Sequence, residues 1–155
     1  MTSNTQLQNK IQELEAELKT FKEQLNNYKE VTLETAVPGD VLEDGSIVLK
    51  KENGLALLVA PASTEVECTW SKGFTQVFNK LQEEGFNPSQ WFVPTKEQLK
   101  LAYSSILHHF SAACYWSSTE INATFPYFVN YINGSAFNAS KTFRYCVRAF
   151  RCVTY

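Results

Sequence analysis

The first thirty residues constrain the fold more than anything that follows them. Leu7, Ile11, Leu14, Leu18, Phe21, Leu25 and Tyr28 succeed one another at intervals of 4, 3, 4, 3, 4 and 3. This is the heptad seam of a coiled coil, with Ile11, Leu18 and Leu25 at a and the other four at d. Lys10 at g precedes Glu15 at the next e, and Glu17 precedes Lys22 in the same way, so both pairs attract across the g to e′ spacing of a parallel bundle. A helix that packs on its own domain shows a wider apolar stripe than this narrow seam. The spacing predicts an oligomerisation stalk over residues 1–30, with about 33 Å of helix from Leu7 to Tyr28 at the α-helical rise. Ile and Leu at a with Leu, Phe and Tyr at d do not by themselves choose between two strands and three.

The periodicity changes after Glu30, and Pro38-Gly39 marks a turn, so residues 31–155 are expected to form one independently folding domain. Asp44-Gly45 and Asn53-Gly54 separate short apolar runs and predict two hairpins. Phe74, Val77, Phe78 and Leu81 recur at helical spacing before Gly85, which predicts a helix over 71–84. Thr95 and Gln98 make a capping-box pattern for a second helix, with Leu99, Tyr103, Ile106 and Leu107 on its inner face. Trp91-Phe92-Val93-Pro94 between the helices reads as a segment crossing the core. From Ala113 the pattern is β, with strands expected over 113–117, 125–132, 135–139 and 143–153, and Asn133-Gly134 as a type I′ turn. The domain is thus expected to be α+β, with two helices in its middle and a terminal antiparallel sheet.

Composition narrows the function. Of 155 residues, 44% are hydrophobic and 14% aromatic, enough for a packed core rather than a disordered chain. No run approaches the ~18 to 20 apolar residues that span a bilayer, so membrane insertion is not expected. The opening residues lack the apolar core of a secretory signal, and synthesis in a cytoplasm is expected. A net charge of -2 argues against a nucleic-acid partner bound through its phosphates. All 16 acids lie at or before Glu120 with 10 of the 14 bases, leaving Lys141, Arg144, Arg148 and Arg151 in a tail without acids. Those bases either pair with acids of the same domain or form a site for an anion.

Catalytic and metal signatures are missing from the sequence. It contains no Gly-rich phosphate loop, HExxH or GxSxG. Ser117, Ser118 and Thr119 stand beside Glu120, but neither His108 nor His109 has an evident orienting partner, so the hydroxyls are read as satisfying backbone groups at a strand end. Cys68, Cys114, Cys146 and Cys152 show no CxxC spacing and are expected to be reduced and structural, with no metal and no cofactor. Asn122, Thr124, Phe125, Tyr127, Asn138 and Lys141 mix aromatics with adaptable polar groups in a stretch without acids. That is the make-up of a ligand-contacting surface, with Phe125 or Tyr127 as platform and Lys141 as charge.

The order of the motifs carries a resemblance. Gly39-Asp40-Val41, the run from Gly54 to Ala60, Trp91-Phe92-Val93-Pro94-Thr95-Lys96-Glu97-Gln98-Leu99, Tyr115-Trp116-Ser117-Ser118-Thr119-Glu120, Gly134 and Val147-Arg148-Ala149-Phe150-Arg151 resemble, over about 38–153, the Lcl C-terminal-domain-like family of bacterial and phage proteins. Phe92 and Val93 replace the family's Arg-Leu, and Gln98 replaces its glutamate. The resemblance implies a C-type-lectin-like domain, commonly carried on a stalk and trimeric, and it implies adhesion. It marks Trp91, Trp116, Ser117, Ser118, Arg148 and Arg151 as signature positions, read here as scaffold.

Together these readings lead to the expectation of a parallel, trimeric coiled coil carrying a C-type-lectin-like binding domain. Such a chain would be a non-enzymatic receptor-binding or adhesin tip of a phage or bacterial fibre, located in a virion or at an extracellular fibre tip. Its expected partners are its own copies, a further fibre or particle protein at the N-terminal end, and a host-surface glycan or protein. The alternative is a structural fibre or decoration protein of a virion or injection particle, in which the module caps the trimer.

Overall fold

The computed structural model describes residues 3–27, 31–72 and 74–155, and the chain separates into two compact units, Met1–Glu30 and Val31–Tyr155. The first unit is one helix, α1 (Asn4–Asn27). Its Glu, Lys, Gln and Leu residues are strong helix formers, with no Gly or Pro among them. The Ser3 carbonyl accepts from the Gln6 amide at 2.9 Å to open the first turn. The apolar seam stands in solvent: Leu7, Ile11, Leu14 and Leu18 are 51 to 57% exposed, Phe21 67% and Leu25 72%. Tyr28, the last expected seam position, lies outside the described residues. Among the described residues no helix is long and apolar enough to cross a membrane.

The second unit is α+β. Its strands are β1 (Ile47–Glu52), β2 (Leu55–Val59), β3 (Val66–Thr69), β4 (Cys114–Glu120), β5 (Pro126–Asn130), β6 (Ala136–Asn138), β7 (Arg144–Val147) and β8 (Phe150–Thr154). They form a three-stranded sheet in the order β1-β2-β8 and a five-stranded sheet in the order β3-β7-β4-β5-β6. All pairs are antiparallel except β4 with β7, which run parallel where Tyr115 faces Cys146. Asn53 and Gly54 both take positive φ, 51° and 75°, to make the tight β1–β2 hairpin.

Two helices, α2 (Thr75–Glu83) and α3 (Lys96–Ile106), occupy the middle of the unit. Helix α2 begins later than the apolar spacing predicts, because Phe74 adopts a left-handed conformation (φ 42°, ψ 43°) and cannot continue a helix backwards. It ends in a Schellman motif: the Phe86 amide donates to the Leu81 carbonyl at 3.0 Å and the Gly85 amide to Gln82 at 3.1 Å. Helix α3 opens with the full capping box. Gln98 Oε1 accepts from the Thr95 amide at 2.9 Å, and Thr95 Oγ1 accepts from the Gln98 amide at 3.2 Å.

Alternation along β4 and β5 divides the core. Trp116 and Phe128 join Trp70, Phe74, Val77, Leu81 and Trp91 on the α2 side. Tyr115 and Val129 join Leu99, Ala102, Ile106 and Phe150 on the α3 side. A smaller cluster of Ala36, Val48, Ala56 and Leu58 lies on the three-stranded sheet. Trp91 and Val93 are buried, and Phe92 exchanges two 2.8 Å backbone hydrogen bonds with Phe150, so the segment between the helices does cross the core.

The strand expected over 143–153 breaks at Arg148-Ala149, and its halves belong to different sheets. The break is held by the Arg148 side chain, which turns inward to donate from Nε to the Ala60 carbonyl (2.8 Å) and from Nη1 to the His109 carbonyl (2.7 Å). The terminal sheet is therefore mixed, and it recruits β3 from before the helices. The Asn133-Gly134 turn also differs from the type I′ expected. Asn130 pairs with Ser135 across a four-residue loop, and of the two central residues only Gly134 has positive φ, 77°. A Cβ at Gly134 would fall 2.4 Å from Tyr103 Cε1, so glycine is required there by contact as well as by backbone.

Candidate functional site

The two loops that the sequence marks as contact surface do come together. Tyr127 faces Asn138 in the β5–β6 ladder, and the Ala139 amide donates to the Pro126 carbonyl at 3.2 Å. Much of their polarity is spent internally. Asn122 Oδ1 accepts from the Thr124 and Phe125 amides at 2.9 and 3.2 Å, closing an Asx turn. Lys141 Nζ donates to the Ala123 carbonyl at 2.7 Å, lies 3.9 Å from Glu120 and stands 4.4 Å above the Trp70 ring. Its charge thus serves to fasten the two loops to the sheet. Tyr127 is half-buried under Lys96 Nζ at 4.2 Å. Asn122, Thr124, Phe125 and Asn138 remain exposed, and Phe137 beside Asn138 is 55% exposed.

The block Ser117-Ser118-Thr119 ties three segments together. Ser117 Oγ donates to the Tyr127 carbonyl at 2.8 Å and accepts from the Thr119 amide at 3.1 Å, while Thr119 Oγ1 accepts from the Lys96 amide at 3.0 Å. The Ser118 amide donates to the Pro94 carbonyl at 2.8 Å. These hydroxyls satisfy backbone groups, as read from the sequence. The His109 ring is engaged with the Gly39 carbonyl at 3.0 Å.

Trp116 is fully buried, with Nε1 donating to the Cys68 carbonyl at 3.0 Å. Arg148 is 1% exposed; besides its two carbonyls it stacks 4.7 Å over Phe110 and lies 3.7 Å from Glu65, which accepts from the Tyr115 hydroxyl at 2.8 Å. Burial, and secondarily the Glu65 charge, pushes the Cys146 thiol up to about 12. All four cysteines are free, and among the described residues no group of three or more His, Cys, Asp or Glu side chains could hold a metal. Three of the four basic residues of the tail face acids from earlier in the domain: Lys141 with Glu120, Arg144 with Glu67 and Arg148 with Glu65. The tail is a set of ion pairs rather than an anion patch.

A groove of about 560 Å³ adjoins these loops, and the sequence reading did not select it. Its walls come from three separate segments. The turn before α2 supplies Trp70, Lys72 and Phe74, and α2 itself supplies Phe78. The crossing segment and the start of α3 add Trp91, Phe92, Thr95 and Gln98, and β4 adds Ser118 and Glu120. Phe78 and Phe92 are partly exposed, whereas Trp70 and Trp91 are 6 and 5% exposed. Trp70 Nε1 donates to the Ser117 carbonyl at 2.8 Å, but Trp91 Nε1 is buried with no acceptor among the described residues. Such an orphaned donor costs ~1–3 kcal/mol. Phe74 adds backbone strain of ~1–3 kcal/mol through its left-handed conformation.

No protein-family model matches this sequence, and no curated protein matches it.

Proposed function

We propose that this chain is the non-enzymatic receptor-binding or adhesin tip of a trimeric fibre, in which a parallel coiled coil projects three C-type-lectin-like modules of the Lcl C-terminal-domain-like kind towards a host-surface glycan. The observation that carries the proposal is the seam on α1: six apolar side chains at heptad positions, each more than half exposed in a single chain. Such a stripe is covered when copies of the helix associate. The α+β character of the second unit, with its two helices between strands, is compatible with the lectin-like expectation. The exposed Asn122, Thr124, Phe125 and Asn138 supply the loop surface such a tip would present. Three weak sites of millimolar order held on one stalk gain ~10² to 10⁴ in avidity, which is the mechanism of attachment.

A virion or extracellular fibre tip is the location this reading gives, with a further fibre or particle protein at the N-terminal end. The structural alternative, a fibre or decoration protein whose module caps the trimer, has one observation in its favour: Lys141 and Asn122 are already satisfied within the domain.

Sedimentation of the full chain tests the stalk. The unmodified chain should sediment as a trimer, and Leu14→Asp with Leu18→Asp should give monomers, because each places a carboxylate in the seam. A monomeric unmodified chain would remove the stalk, and with it the multivalent mechanism. Binding to whole cells compared with assembly into particles then separates the tip from the cap.

A further inference from the structure

We propose that the groove beside Trp91 is a binding site for one uncharged, polyhydroxylated ring, the pyranose unit of a glycan. The proposal rests on the binding-tip reading and adds to it a location and a ligand class. Three observations carry it.

The first is size and surface. A groove of about 560 Å³ falls within the range that holds small ligands, and the half-exposed rings of Phe78 and Phe92 give it an apolar wall against which the C–H face of a sugar ring can pack. The second is the supply of donors. Gln98 spends its Oε1 on the Thr95 amide, and its Nε2 makes no hydrogen bond among the described residues. Trp91 Nε1 also has no acceptor among the described residues, but it has no accessible surface through which a ligand in the groove could reach it. A free donor such as Gln98 Nε2 at the wall of a cavity is answered by an oxygen entering that cavity, so the ligand carries acceptor oxygens. Ser118 Oγ, held only by a 3.3 Å contact to the Pro94 carbonyl, and the Glu120 carboxylate are the groups that can accept a hydrogen bond from a ligand hydroxyl in return.

The third is charge. Lys141 is committed to Ala123 and Glu120, and Lys96 lies between Glu97 at 3.7 Å and the Tyr127 ring. With Glu120 already facing Lys141, what is left over among the described groove residues is one exposed ammonium, Lys72. A single ammonium at the rim is not the multi-cation patch that a sulfated or carboxylated chain needs, and this favours the uncharged ring.

The test uses the full chain and a panel of glucose, galactose, mannose and N-acetylglucosamine at millimolar concentration, read by saturation-transfer NMR and by tryptophan emission. The decisive variant is Gln98→Glu. A glutamate at this position still accepts from the Thr95 amide, so the capping box and the fold are kept, while both Nε2 donors disappear. We expect the unmodified chain to bind at least one sugar with an affinity that does not change with added salt. Gln98→Glu should lose about tenfold or more in affinity at an unchanged unfolding midpoint, and Ile132→Ala, 70% exposed and outside the groove, should bind as the parent does.

Equal binding by Gln98→Glu, a salt-dependent affinity, or no sugar bound by a chain shown to be trimeric would each overturn the groove as an uncharged-sugar site while leaving the stalk intact. Sugar binding by a chain that proves monomeric would support the groove and overturn the multivalent tip instead.

Discussion

Glu65→Gln offers a direct measure of what holds the two sheets together. Arg148 sits at the break between β7 and β8 with its side chain 1% exposed, and Glu65 is the carboxylate facing it, at 3.7 Å and 17% exposed. Replacing the acid by its amide keeps the shape and an acceptor for the Tyr115 hydroxyl, now bonded to Glu65 at 2.8 Å, but leaves the guanidinium without a counter-charge. Breaking a buried pair in this way costs ~3–5 kcal/mol. The 3.7 Å separation and the residual exposure of Glu65 put the expected loss at the lower end, about 3 kcal/mol. With a urea slope of ~1.5 kcal/mol/M, the unfolding midpoint should fall by about 2 M.

The chain contains its own control. Arg144 and Glu67 are 3.9 Å apart but 59 and 64% exposed, so Glu67→Gln should cost no more than about 0.5 kcal/mol. The assay is equilibrium urea unfolding at neutral pH, followed by far-UV circular dichroism and tryptophan emission. Equal midpoints for Glu65→Gln and Glu67→Gln would refute the reasoning. They would mean that the Ala60 and His109 carbonyls and the Phe110 ring suffice to hold the guanidinium.

Two further expectations concern the core and its titration. Trp116→Ala should destabilise the second unit by ~3–5 kcal/mol, since it empties a fully buried site and orphans the Cys68 carbonyl from its indole. Phe125→Ala, on an exposed loop, should leave the unfolding midpoint within about 0.5 kcal/mol of the parent, and the reverse ranking would exchange core and surface in this account. Stability should also decline in alkali: the Cys146 thiol stays protonated in the fold up to about 12 but ionises from the ordinary thiol value near 9.0 once unfolded. The native state then holds the extra proton, and stability is lost as pH rises through that window. Unfolding midpoints measured across it should fall less steeply for Cys146→Ala, and an unchanged slope would exclude the thiol as a source.

What could be read from the sequence follows the range of the interactions. The Thr95–Gln98 box, the Gly85 cap and the Asn53-Gly54 hairpin depend on donors and φ angles within a few residues, and the structure has each of them. The apolar phase shifts at the Arg148-Ala149 break, from Tyr145, Val147 and Ala149 to Phe150 and Cys152, but what holds the bend was not legible there, because it lies in the carbonyls of Ala60 and His109, 88 and 39 residues away. Asn133-Gly134 announced a turn but not its type, which the Tyr103 ring against Gly134 helps to set.

The same limit applies to the site. Asn122, Thr124 and Asn138 were found by composition, and they are exposed as a contact surface needs. The commitment of Lys141 to Ala123 and Glu120 could not be seen in a list of residues. The groove was missed because its walls come from three segments of the chain. The one local signal was Trp70, a tryptophan followed by Ser71 and Lys72, which reads as a core residue unless its neighbours are known.

The order β1-β2-β8 has a consequence for how the protein is made. Leu55 pairs with Thr154, so the small sheet joins strands almost a hundred residues apart and cannot close until 150–154 has left the ribosome. The helix of residues 4–27 is complete long before that. On the trimeric reading proposed above, neighbouring nascent chains on one message would meet through their stalks while the second unit is still open, so that assembly would come first and closure last. In that order the hairpin of β1 and β2 would wait with an unpaired edge, and a neighbouring copy would be the nearest source of a wrong β8.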